Sequence, residues 1–243
     1  MRKTSKSNPT QWAALALFTL LLASCKTTAY IEPALQNNAT VMTVSGRHKW
    51  FSQKLSFGPY QSGKVSRGWT ATKSTGIVVH NQYAKNKFSF SLCDNKGDSS
   101  EVFMTGKLTQ SGIALFGGKL RWKAKDVCAG TIYLGNNGDE WDFALYNAEK
   151  SEFLKQSTGE LNNGKQTFRI VEEERLANGN KRVTFKVSAY KFQLDDKTVG
   201  MVDLINFKGR VVISNDLTPE MQFVVANAAA VLLLRQDLED DLN

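Results

Sequence analysis

Short stretches rich in valine, isoleucine, threonine, phenylalanine and tyrosine alternate with glycine, asparagine and aspartate clusters between residues 46 and 214. In residues 182–193 apolar positions such as Val183, Phe185 and Val187 alternate with polar ones, which is typical of a half-buried antiparallel strand. Turns such as Asn162-Asn163-Gly164 favour tight hairpins. The spacing predicts about a dozen strands, with candidates at 76–83, 87–92, 101–108, 131–134, 141–146, 167–174, 182–194 and 210–213.

The end of the chain has a different pattern. Twelve of the fourteen residues from Met221 to Leu234 are apolar, interrupted only by Gln222 and Asn227. This predicts a helix over residues 219–235, with Thr218 as N-cap and a proline in the first turn. The helix has no polar face and is therefore expected to be buried all round. Its apolar part spans roughly 21 Å, less than a bilayer core of about 30 Å, which favours a protein core over a membrane span.

The two patterns together predict a single mainly β domain over residues 46–243. A barrel of about twelve antiparallel strands is too wide for side chains alone to fill, and an all-apolar helix would fill it. We therefore expect a closed barrel around the C-terminal helix. The alternative is a β-sandwich or a smaller barrel with the helix packed on it. Asn227 is expected to have a structural role, or else to mark a polar pocket beside the helix.

The hairpin pattern KFSFSLCDNKGDSSEVFMTGKL at 87–108 and the ending VGMVDL…GRVVIS…LTPEMQFVVANAAAVLLL resemble the Tubby C-terminal, LURP-one-like and phospholipid scramblase superfamily. The resemblance covers roughly residues 46–236 and implies a closed β-barrel threaded by a hydrophobic helix. The chain differs from that family in its export signal and its acidic tail at 237–241. No motif fixes the positions of the family's lipid-binding residues in this sequence.

The first 24 residues have the layout of a secretory signal peptide: a basic start, an apolar run and small residues at the end. The segment ends Leu22-Ala23-Ser24-Cys25, which resembles the lipobox of bacterial lipoproteins. The resemblance implies cleavage before Cys25, diacylglycerol on its thiol and a fatty acid such as palmitate on its amino group. Lys26 in place of aspartate implies the outer membrane if the source is Gram-negative. An ordinary signal peptide, or an uncleaved anchor with a chance cysteine, is the alternative.

Residues 25–45 are polar, contain a proline and show no sustained period, so they are predicted to form a flexible tether. Removing residues 1–24 takes three positive charges from a net charge of +8, leaving about +5, a charge that favours anionic surfaces. The export signal excludes nucleic acid as a partner. Cys93 and Cys128 then form an even pair in an oxidising compartment and are a candidate disulfide, with two buried thiols as the alternative.

Residues 47–73 combine basic and aromatic side chains without any acidic residue. Cations attract phosphates and carboxylates, and tryptophan suits a membrane interface. The alternative is a solvated basic strand whose aromatic residues enter the core. The candidate ligands for an anionic lipid or glycan are Arg47, Lys49, Trp50, Lys54, Lys64, Arg67 and Trp69.

Signals for enzymatic chemistry are weak. His48 and His80 have no metal-ligand spacing, and nucleophile-elbow and phosphate-loop patterns are absent from the sequence. We expect no metal, no cofactor and no catalytic residue. The predicted function is a non-enzymatic lipoprotein of the cell envelope that binds lipid or another envelope component. A structural or assembly lipoprotein with a protein partner is the alternative, and a hydrolase using carboxylate pairs is a third hypothesis.

Overall fold

The computed structural model describes residues 27–48, 52–68, 78–79, 86–106, 113–115, 118–120, 124–135, 138–148, 159–181 and 187–235. Two helices lie in this part of the chain, α1 (Pro33–Asn37) and α2 (Pro219–Leu234). Its strands are β1 (Ala39–Thr43), β2 (Ser56–Phe57), β3 (Tyr60–Ser62), β4 (Ser66–Arg67), β5 (Val78–Val79), β6 (Asn86–Cys93), β7 (Ser99–Gly106), β8 (Ile113–Leu115), β9 (Gly118–Leu120), β10 (Ala124–Leu134), β11 (Glu140–Ala148), β12 (Gly159–Asn162), β13 (Thr167–Glu173), β14 (Ala189–Leu194), β15 (Lys197–Asp203) and β16 (Arg210–Ser214).

Thirteen of the sixteen described strands form one large antiparallel sheet that closes almost completely into a barrel. Its order is β1-β16-β15-β14-β13-β12-β11-β10-β7-β6-β3-β2, with β4 also paired to β6, and β5, β8 and β9 form a small separate sheet. Ser45, just after β1, and Ser56 in β2 exchange two backbone hydrogen bonds at 2.9 and 3.1 Å, so the two ends of the sheet meet. The predicted mainly β barrel is confirmed.

The alternation of side chains along the strands decides which residues line the barrel interior. In β7, Val102 and Met104 are buried inside, whereas Phe103 between them is 43% exposed on the outside. In β11, Trp141 and Phe143 belong to the same interior core. Successive strand residues point to opposite faces, so each strand contributes every second residue to the core.

Helix α2 runs through the barrel interior. All twelve residues from Phe223 to Leu234 are at most 4% exposed. Asn227 meets Ser100 of β7, and a Cβ added at Gly200 of β15 would lie 2.9 Å from Val225 Cγ1. The same number of strands separates β7 from β15 in either direction around the sheet. Walls on opposite sides therefore contact the helix, as predicted for a buried plug.

The start of α2 also follows the sequence prediction. The Met221 backbone N–H donates to Thr218 Oγ1 at 3.3 Å, and Pro219 occupies the first turn. These residues satisfy or remove N–H groups that lack a partner within the helix. In the part of the chain that the structure describes, no helix is both long enough and apolar enough to span a membrane.

The two ends of the barrel differ in their connections. At one end, here called the turn end, tight turns at 94–98, 163–166 and 195–196 join neighbouring strands. At the other, the loop end, the chain makes the longer connections 68–85, 107–123, 149–158 and 174–188. Because β16 finishes at the turn end, α2 enters there and its C-terminus lies at the loop end.

The predicted flexible tether over residues 25–45 is corrected by the structure from residue 27 onwards. This segment contains α1 and the barrel strand β1. Ala29 and Leu35 pack against Ala189, Met201 and Val212 on the outer face of the barrel wall. The residues from 27 to 38, here called the N-terminal strap, therefore form a covering layer. Their polar sequence hid this role because much of their bonding is through backbone groups and charges.

Some predicted strand boundaries also need correction, and the strand predicted at 131–134 is observed as β10, which begins at Ala124. The strand predicted at 182–194 is observed as β14, Ala189–Leu194, and residues 182–186 lie outside the described part. Tyr190 and Phe192 face the interior, whereas Ala189 packs against the strap on the outside. The outward side of this strand is thus also buried, which explains its apolar residues on both faces.

Candidate binding surface and the ends of the barrel

Two of the predicted anion ligands contact the C-terminus of α2. Arg67 Nη2 donates to the Leu234 carbonyl at 2.8 Å, and Arg47 Nε donates to the Leu233 carbonyl at 3.4 Å. The last carbonyls of a helix have no partner within it and carry a partial negative charge. The two arginines supply donors and positive charge where α2 itself has no basic residue in its last turn.

The environment of Arg67 shows how it is positioned. Its guanidinium donates to Gln53 Oε1, with Nη2 at 3.0 Å, and lies 5.6 Å from the ring centre of Phe88. Burial lowers the pKa of Arg67 from its usual value. These contacts fix the position of the guanidinium beside the helix end, while Arg67 stays exposed on the barrel surface.

Lys54 and Lys64 are both exposed, on neighbouring segments of the barrel wall. The Val65 backbone N–H donates to the Gln53 carbonyl at 2.9 Å, which aligns the segments that carry the two lysines. Lys54 follows Gln53 and Lys64 precedes Val65, so the two lysines occupy neighbouring backbone positions of the wall. Both residues are exposed, and their role as anion ligands stays a prediction.

Two aromatic residues of the segment 47–73 belong to the barrel core. Phe57 and Tyr60 are buried, and Tyr60 lies 6.1 Å from the ring of Phe223 in α2. Burial, together with the nearby carboxylates of Asp94 and Asp98, raises the pKa of Tyr60 to about 12. For these two rings the structural alternative is correct. Lys49, Trp50 and Trp69 lie outside the described residues.

A further group at the loop end was not singled out from the sequence. Phe207, in the loop between β15 and β16, is 73% exposed and stacks on His48 with ring centres 3.9 Å apart. Partial burial and the charge of Arg47 lower the pKa of His48. Lys208 beside Phe207 is exposed. A large apolar residue inside the polar turn Asn206-Phe207-Lys208-Gly209 was the available signal.

The strap is fastened by charged groups as well as apolar contacts. Lys191 contacts Glu173 at 3.3 Å and Glu32 at 3.0 Å, and Arg175 binds Glu173 at 2.7 Å. Burial raises the pKa of Glu173, but the hydrogen bonds from Arg175 and the charge of Lys191 outweigh it, so the pKa lies below its usual value. Lys191 thus links Glu32 of the strap to the outer wall.

A second set of contacts holds the start of the strap. The Ala29 backbone N–H donates to Asp203 Oδ2 at 3.1 Å, and Arg210 binds the same carboxylate at 2.8 Å. Arg175 lies 4.2 Å above the ring of Tyr30. Asp203 is fully buried, so its pairing with Arg210 and a backbone donor compensates for lost hydration.

The predicted disulfide is absent from the structure, in which neither Cys93 nor Cys128 is disulfide-bonded. Cys93 pairs with Ser99 at one end of β7, and Cys128 pairs with Gly106 at the other. Seven residues of strand correspond to roughly 23 Å, far beyond the roughly 7 Å Cα separation that a disulfide allows. Sequence spacing carried no information on this register.

Among the described carboxyl groups, that of Asp142 has a pKa clearly raised toward neutral pH. It is 6% exposed on the outer side of β11 and accepts a hydrogen bond from Thr131 at 3.2 Å. Burial and the nearby Glu140 and Glu160 raise its pKa to about 6, although the Thr131 bond opposes the shift. The described residues include no cluster of three or more histidine, cysteine or acidic side chains that could hold a metal ion.

Asn227 has a structural role, with a side chain of the wall and a carbonyl of its own helix as partners. Ser100 Oγ donates to Asn227 Oδ1 at 2.6 Å, and Asn227 Nδ2 donates to the Phe223 carbonyl one turn earlier in α2. Both side chains are buried, so this pair satisfies polar groups that would otherwise be costly inside an apolar core.

Comparisons with protein-family models, curated proteins and solved structures found no match to this chain. The lipobox and the Tubby-like resemblance therefore stay predictions. Cys25 and the acidic tail at 237–241 lie outside the described residues.

Proposed function

We propose that this protein is a bacterial lipoprotein of the cell envelope, anchored through acylated Cys25. Its barrel is a non-enzymatic module that binds anionic lipid or glycan. The observation that carries the binding proposal is the exposed pair Lys54 and Lys64, aligned by the Gln53–Val65 hydrogen bond. The lipobox-like residues Leu22 to Cys25 support the anchor.

Because α2 fills the barrel interior, we place the ligand contact on the outer surface. The acyl chains hold the domain at the bilayer, and a weak contact between lysines and anions then acts at high local concentration. Under this mechanism the arginines Arg47 and Arg67 fix the helix end, while the lysines contact the ligand.

The test measures binding of the chain from residue 26 onwards to vesicles that contain phosphatidylglycerol. A lysine near an anionic surface contributes about 1 kcal/mol. Lys54→Glu combined with Lys64→Glu should therefore weaken binding by at least about 30-fold. The matched control, Lys96→Glu with Lys165→Glu at the turn end, should change binding much less. Equal effects of the two pairs would contradict the proposed lysine site.

The anchor is tested separately by the mass of the mature full-length protein. We expect cleavage before Cys25 and the added mass of the acyl groups, both lost in Cys25→Ser.

If the chain from residue 26 onwards has no affinity for anionic vesicles, an assembly lipoprotein becomes the better account. Along Ala39–Thr43, β1 pairs with β16 on one side and, within the described residues, has no strand partner on the other. A protein partner would then add a strand to that edge.

A further inference from the structure

The strap runs along the outside of the barrel from the loop end to the turn end. Near its start, the Ala177 backbone N–H, in the chain beyond the end of β13, donates to the Thr28 carbonyl at 2.8 Å. At its end, Asn38 Nδ2 donates to Asp216 Oδ1 at 2.7 Å, in the turn that leads into α2. The first described residues therefore lie at the loop end.

The start of the strap is tied to that end over several residues. Ala29 is 1% exposed and bonds to the buried carboxylate of Asp203. The Tyr30 backbone N–H donates to the Arg175 carbonyl at 2.9 Å. A chain held in this way cannot swing round the barrel without breaking these contacts.

The chain before the strap is short. Three residue steps separate Cys25 from Thr28, and a fully extended chain covers at most about 3.6 Å per residue, or roughly 11 Å. Strand β7 alone, at eight residues, is roughly 26 Å long. A lipid on Cys25 can therefore reach a bilayer beside the loop end and cannot reach one beside the turn end.

Among the residues that the structure describes, the charges and apolar groups of the two ends agree with this direction. At the loop end, the exposed Phe207 lies between His48 and Lys208, and the carboxylates of Asp203, Glu173 and Glu174 are ion-paired. At the turn end the described acidic residues include Asp94, Asp98, Asp139, Glu140, Asp195, Asp196, Asp216 and Glu220, of which Asp196 is ion-paired with Arg169. They outnumber the described lysines of that end, Lys96, Lys165 and Lys197. An aromatic ring beside a cation suits an anionic bilayer surface, whereas excess carboxylates are repelled by it.

We propose that the loop end faces the bilayer in the acylated protein. Phe207 contacts the interface, Lys208 contacts anionic headgroups, and the acidic turn end points away. The strap is the device that sets this orientation. The inference rests on the proposed acylation of Cys25.

The chain offers a matched pair of labelling sites for the test. Cys93 is exposed at the turn end, whereas Cys128 is 1% exposed and shielded from reagents. A nitroxide on native Cys93 reports the turn end of the acylated full-length protein. A nitroxide on Lys208→Cys in a Cys93→Ser background reports the loop end. Both proteins are placed in vesicles of phosphatidylcholine and phosphatidylglycerol, and the collision rates of each label with oxygen and with a water-soluble nickel chelate are measured.

We expect the label at 208 to lie at the headgroup level and the label at 93 to stay in water. Phe207→Ala should lower vesicle partitioning of the chain from residue 26 onwards by about threefold or more, because part of a phenylalanine side chain is no longer buried. The control Phe103→Ala, on the barrel side, should leave partitioning unchanged. An acylated protein with label 93 at the interface, or with both labels equally deep, would overturn the orientation alone. A mature chain without acyl groups would overturn the proposed anchor and the orientation together.

Discussion

Helix α2 and the N-terminal strap cover the same part of the barrel wall from opposite sides. In β15, Val202 faces α2 in the interior core, and the preceding Met201 faces Leu35 of the strap. Both α2 and the strap therefore pack on β15, because its successive side chains point to opposite faces of the wall. The wall between them is buried on both faces, as in the sheets of layered proteins.

The two covers use different interactions. α2 packs almost entirely through apolar side chains, with Asn227 and Ser100 as a satisfied polar pair. The strap has a smaller apolar cluster and adds ion pairs through Glu173, Lys191 and Asp203. Burial of a continuous apolar surface stabilises the fold but does not specify which groups must meet, whereas an ion pair forms only between defined partners. The comparison indicates that the helix supplies the core and the strap sets the position of the N-terminus.

The largest effect should come from placing a charge inside the barrel. Val225→Asp buries a carboxylate at a position that is fully enclosed beside Gly200. We expect a loss of about 4 kcal/mol or more in the free energy of unfolding, enough to prevent folding. Denaturant unfolding and soluble yield measure it. Val41→Asp is the control, since Val41 is 51% exposed, and a similar loss there would contradict a helix enclosed by the wall.

An intermediate effect is expected at the strap. Glu173→Gln removes the carboxylate shared by Arg175 and Lys191, and should cost about 2–3 kcal/mol at neutral pH, less than a fully isolated charge because Glu32 still pairs with Lys191. The stabilisation by Glu173 is present above the usual glutamate pKa of 4.5 and is lost as the pH falls through its lowered pKa. The stability gap between wild type and variant should therefore close in acid. A gap that widens in acid would contradict this assignment.

The smallest effect tests the buried hydrogen bond between Asn227 of α2 and Ser100 of the wall. Ser100→Ala leaves Asn227 Oδ1 without its donor and should cost about 1–2 kcal/mol in the free energy of unfolding. Ser100→Ala with Asn227→Leu should recover part of this loss, because both polar groups are then replaced by apolar ones. Thermal or denaturant unfolding of the single and double variants measures the coupling. A double variant less stable than the sum of the single losses would argue against a simple satisfied pair.

Most of the barrel interior could be predicted from the sequence. The run from Met221 to Leu234 predicted a helix buried on every side, and the alternating strands predicted the barrel that encloses it. These predictions succeeded because burial of apolar side chains is a local property of composition and period. The two lysines Lys54 and Lys64 also remain exposed, as a solvated basic segment requires.

Only the tertiary structure shows which distant residues contact each other. Arg47 and Arg67 read as candidate anion ligands in the sequence, yet they bond to the carbonyls of Leu233 and Leu234, far away in the chain. Strand register placed Cys93 and Cys128 at opposite ends of β7. The strap looked like a tether because its burial depends on backbone hydrogen bonds and ion pairs with distant residues. Composition and period determine which residues are buried, but the geometry of the closed sheet determines which groups meet.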